Sequence, residues 1–83
     1  MISKNLLSVK EVAKLFGLSE ATINHYINMG LIDVSLRKGN SRLFEPNLIS
    51  HRMKLIHDLR KKEFLLRQIR DEIMREKAKG RLP

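Results

Sequence analysis

Asn24 and Asn28 stand i, i+4 apart, with His25 between them and Ser19 and Thr22 just upstream. On a helix the two asparagines share one face, and each carboxamide offers a donor and an acceptor side by side. That pair suits the edge of an adenine in a DNA major groove, whereas Ser19 or Thr22 at a helix N-terminus suits a phosphate, as does His25. The same side chains also make an ordinary polar helix face. Further along, Arg37, Lys38 and Arg42 flank Gly39-Asn40. Cations around a turn suit a duplex backbone or minor groove, and they also keep a hairpin edge from pairing with another chain. No metal or cofactor is expected: cysteine is absent, and His51 and His57, six apart, match no i, i+4 pair. Nor do a nucleophile, a base and an orienting group occur together, so the chain does not read as an enzyme.

These residues need elements to hold them. Ser8-Val9-Lys10-Glu11 is a capping box, and Val9, Val12, Ala13 and Phe16 follow as one apolar stripe ended by Gly17. Ser19 caps a second start, whose stripe is Ile23, Tyr26 and Ile27 and whose stop is Gly30. Two short helices joined by a glycine-containing turn predict a helix-turn-helix. Leu31 to Leu36 is partly alternating and β-branched, and Arg42-Leu43-Phe44 resumes after a basic tip, which predicts a hairpin wing over about 32–44. Pro46 opens a further helix with Ile49, Met53 and Ile56 inward. The fold class is mainly α, a winged helix-turn-helix with a small two-stranded β-hairpin. Helices are expected at about 8–16, 19–29, 46–61 and 65–78, within a single domain over 1–79 that leaves 80–83 as a frayed tail.

Two courses are open near residue 63. Leu66, Ile69 and Ile73 form a stripe out of phase with Ile49, Met53 and Ile56, so the chain can bend at Glu63-Phe64-Leu65 with Phe64 plugging the core. Alternatively, one helix runs through, and Leu48, Arg52, Leu55, Leu59, Lys62, Leu66, Ile69, Ile73 and Glu76 make a coiled-coil seam for a partner.

The 83 residues carry Lys+Arg 17 against Asp+Glu 9, a formal net charge of +8. This length suits one small domain with a surface function rather than a deep catalytic cleft. The excess is uneven. Residues 1–36 hold three basic and three acidic side chains, residues 37–62 eight against two, and residues 63–83 six against four. A polyanion footprint is therefore expected from the wing onward, with Arg60-Lys61-Lys62 as solvated surface. The N-terminus lacks the pattern of a leader, and no apolar run approaches the ~20 residues of a membrane span, so a cytoplasmic protein without membrane partners is expected.

Ser8 to Ser19, then Thr22-Ile23, Tyr26 and Gly30-Leu31-Ile32, resemble the DNA-binding domain of MerR-type transcription regulators. Arg37, then Arg42-Leu43-Phe44 and Pro46, look like that family's wing, and the resemblance covers roughly residues 6–73. It departs on the DNA side. Asn24, His25, Tyr26 and Ile27 stand where the family usually has Arg-Tyr-Tyr-Glu, Asn40-Ser41 where it has Gly-Tyr, and Glu63-Phe64-Leu65 where it has Gly-aromatic-Ser/Thr. The resemblance implies sequence-specific binding of double-stranded DNA for transcription regulation. Helix 19–29 would lie in the major groove and wing 37–42 on the backbone or minor groove, with Arg42 touching backbone and His25 in place of a tyrosine. It also implies a homodimer, which family members make through a long C-terminal helix ahead of their effector domain. The 83 residues read as a cut-out DNA-binding domain or a short stand-alone member. Short relatives suggest the alternative of an excisionase-like or chromosome-anchoring architectural protein.

Overall fold

Ser8 starts the first helix as its spacing to Glu11 predicts: its hydroxyl accepts from the Glu11 N–H at 3.1 Å, and the Glu11 carboxylate accepts from the Ser8 N–H at 2.9 Å. The computed structural model describes residues 5–82; the leader reading of residues 1–4, and Pro83 at the end of the tail, lie outside the described residues. In chain order the elements are β1 (Leu7–Ser8), α1 (Val9–Phe16), α2 (Glu20–Met29), β2 (Leu36–Lys38), β3 (Ser41–Phe44), α3 (Pro46–Lys61) and α4 (Leu66–Ala78). The fold is a winged helix-turn-helix.

The inward stripes of all four helices meet in one core, where Val12, Ile23, Phe44, Ile69 and Ile73 are fully buried beside Ile49, Met53 and Ile56. Periodicity makes these positions legible, because an apolar stripe is stable only where it leaves water.

The wing departs from expectation in two ways. The two-stranded hairpin of β2 and β3 forms as expected, but β1 joins its sheet as a third strand, in the order β1-β3-β2, because Leu7 pairs with Phe44 and Ser8 with Leu43. A two-residue strand shows no alternation to read. Its start also lies later than 32: Leu31 and Ile32 form a buried loop, and pairing begins at Leu36, opposite Leu43. Their apolar side chains serve the core, not a ladder. Ser35 then clasps the wing's base, donating its N–H to the Leu43 carbonyl at 2.9 Å while its Oγ accepts from the Glu45 N–H at 3.0 Å. The Glu45 carboxylate accepts from the Leu48 N–H at 2.8 Å, so glutamate caps the Pro46-started helix.

Near residue 63 the chain takes the bend. After α3, Phe64 donates to the Leu59 carbonyl at 3.1 Å and Glu63 to the Arg60 carbonyl at 2.9 Å, with Glu63 left-handed at φ 65. The nine-position seam is thereby cut between Leu59 and Leu66. Phe64 packs against the core but is only half-buried, so Phe44, not Phe64, is its aromatic plug. The last residues are not frayed through Leu82. Gly80 and Arg81 donate to the Lys77 and Glu76 carbonyls at 2.9 Å each, and Leu82 packs on the core. Helix closure and an apolar anchor hold what sequence composition left free.

Candidate nucleic-acid interface

The entry to α2 is polar and closed on itself. Ser19 Oγ accepts from the Thr22 N–H at 3.0 Å and lies 2.9 Å from Thr22 Oγ1. The two hydroxyls share one proton between them, which leaves one hydroxyl proton of the pair to donate outward. With Ile23 and Tyr26 buried, His25 and Asn28 are exposed and Thr22 and Asn24 half-buried on the other side of the helix.

The wing approaches that side. Strand register sets Arg37 directly across from Arg42, and Lys38 across from Ser41, with Gly39-Asn40 as the two-residue turn. Side chains alternate between faces of a strand, so Arg37 and Arg42 share the face on which Phe44 enters the core, while Lys38 lies on the opposite one. Arg42 extends from this face to α2 and donates from Nη2 to Asn24 Oδ1 at 2.5 Å. The eight residues singled out from sequence are therefore grouped unequally: Asn24, Arg37 and Arg42 adjoin, Ser19 and Thr22 pair at the helix start, His25 and Asn28 stand exposed on α2, and Lys38 lies on the other face of the wing.

Sequence reading missed two features. The Arg42–Asn24 hydrogen bond joins residues 18 apart, beyond any helical or strand period. The other is Arg52, part of the charge excess of residues 37–62 and of the alternative seam but 7% exposed, whose Nη1 donates to the Leu31 carbonyl at 3.0 Å and to Asp33 at 3.3 Å. A signal existed, since Arg52 falls between Ile49 and Ile56 at the inward i+3 position of their stripe. Asp33 also pairs with Lys77 at 2.6 Å, which ties the loop before the wing to both α3 and α4.

The remaining charge is solvated. Lys54, Arg60 and Lys61 are exposed along α3 and Lys62 at its C-terminal cap, and on α4 Glu72 accepts from Arg75 at 2.6 Å. That hydrogen bond, with the carboxylate's charge, raises the Arg75 guanidinium further above its ordinary pKa. His51 and His57 line separate grooves, the first beside Arg52 and Leu82 and the second beside Phe16 and Met53.

A helix-turn-helix with a cationic wing drawn against its second helix defines a DNA-binding module. The sequence pattern of the MerR HTH family regulatory proteins matches residues 7–76, and the chain belongs to that family. Comparison with the curated proteins gives no match, and comparison with the solved structures gives none either. No helix among the described residues is long and apolar enough to cross a membrane.

Proposed function

We propose that the chain is a sequence-specific binder of double-stranded DNA that regulates transcription in the MerR manner, a binding protein of the cytoplasm and not an enzyme. In this reading α2 enters the major groove, turning Asn24, His25 and Asn28 toward base edges, while the hydroxyl pair of Ser19 and Thr22 meets a phosphate at the helix start. The wing brings Arg37, Lys38 and Arg42 to the backbone or the adjoining minor groove. A homodimer would set two such surfaces on a two-fold operator.

The observation that carries this reading is the contact between Arg42 and Asn24, which makes the outer face of α2 and the arginine face of the wing one continuous surface. A helix read as merely polar and a wing read as merely edge-protecting have no reason to meet. The test is selection of duplexes from a random pool by the purified chain. Enrichment of one motif, competed poorly by unrelated duplex, is expected; retention of the pool without enrichment would leave only non-specific binding and defeat the claim of sequence specificity.

A further inference from the structure

Among the described residues, the pair of Arg42 and Asn24 is unlike the ion pairs. The ion pairs among the described residues give Arg52, Arg70, Arg75, Lys77 and Arg81 acidic partners. Arg42 instead spends a hydrogen bond on a neutral amide, at 2.5 Å and half-buried, so its charge is positioned without being neutralised. A hydrogen bond from a guanidinium is stronger than one between neutral groups, and this one has consequences for both partners.

For Asn24 the bond occupies the carbonyl and orients the amide. A free asparagine recognises adenine by accepting from N6 and donating to N7. With a guanidinium held on its Oδ1, Asn24 keeps its Nδ2 hydrogens for a ligand, while its acceptor is engaged and crowded. For Arg42 the bond uses one of five N–H groups, and it draws the guanidinium off the wing to the reading face of α2. What the two residues then present together is a cluster of donors. Arg37, directly across the strand pair from Arg42, adds a second cation on the same face. The base edge that offers a pair of acceptors and no donor in the major groove is guanine, through O6 and N7.

We propose that Arg42 and Asn24 form one reading unit for guanine, in which the wing arginine takes part in base selection. This replaces both the backbone role expected for Arg42 and the adenine role expected for Asn24. The inference rests on the duplex-binding reading above.

The experiment has two arms. In the free protein, the Asn24 side-chain amide is followed by NMR in the wild type and in Arg42→Ala. A shifted side-chain amide resonance that reverts on substitution is expected, and an amide indifferent to the substitution would overturn the unit without reference to DNA. In the second arm, duplexes are selected from a random pool by the wild type, Arg42→Ala, Arg42→Lys, Asn24→Ala and the double alanine variant, each first shown to melt near the wild type. The wild type should enrich a guanine that Arg42→Ala loses, with adenine gained at the same position and a change in preference of roughly tenfold. Arg42→Lys should retain general affinity yet lose the guanine, because an ammonium lacks the planar fork. The double variant should be no worse than the poorer single one. If Arg42→Ala weakens all duplexes alike with preferences unchanged, the guanine unit is wrong while duplex binding stands. If the amide responds as expected but no duplex is retained by any form, the duplex-binding reading has failed and takes the guanine assignment with it.

Discussion

Arg52 carries a charge into the interior, and its surroundings account for it. The buried loop at Leu31 leaves a carbonyl facing α3, where the Arg52 guanidinium donates to it at 3.0 Å and reaches the half-exposed Asp33. A carbonyl without this donor would be left unsatisfied away from water, so Arg52→Met should cost about 1–3 kcal/mol although methionine fills much of the same space. Urea unfolding would measure it, and an unchanged midpoint would mean that water replaces the guanidinium. The footprint for a polyanion is correspondingly smaller than a count of basic residues suggests, since this cation is held by Leu31 and Asp33. Residue spacing announced that Arg52 points inward; it could not announce the carbonyl waiting there, because that carbonyl belongs to a loop whose course depends on the whole core.

At the level of elements, all four helices end alike. Leu18, Leu31, Phe64 and Arg81 each donate back to a carbonyl five residues earlier, after a left-handed residue that is Gly17, Gly30, Glu63 or Gly80. The glycine stops of α1 and α2 are legible in the sequence for that reason, and the bend after α3 is not, because a glutamate occupies the same conformation. Holding an L residue left-handed costs about 1–2 kcal/mol. Glu63→Gly removes that strain and adds about 0.4–1 kcal/mol of unfolded-state entropy cost, so a net gain of roughly 0.5–1 kcal/mol is expected. A rise in melting temperature checks it; a fall would mean that the Glu63 side chain itself supports the turn. The wing shows the complementary limit. Its turn and cations were legible locally, while its third strand is two residues donated from before α1.

For the molecule as a whole, the +8 charge divides between a structural and a ligand-facing share. Asp33 binds Arg52 and Lys77, α4 pairs Arg70 and Arg75 with its own acids, and Arg81 beyond it reaches Glu76. Among the described residues the arginines of the wing and the exposed cations of α3 have no ion pair, and the wing lies against the helix expected to do the reading. Binding should therefore depend on salt as the neutralisation of about four phosphates would, with a log–log slope of about −3 to −4. Titration from low to moderate salt gives the slope; affinity independent of salt would contradict a backbone grip altogether.

The sheet order also bears on how the molecule assembles. Pairing of Leu7 with Phe44 encloses the entire helix-turn-helix within one loop of chain, whereas the contacts inside α1 and α2 are made by near neighbours. Loop closure is entropically costly and non-local pairing slow, so the strands should join after the helices have formed. Until they join, α2 exists without the arginine that orients Asn24. Completion of the surface that meets DNA is thus among the final events of folding, and among the first to be undone when the chain opens.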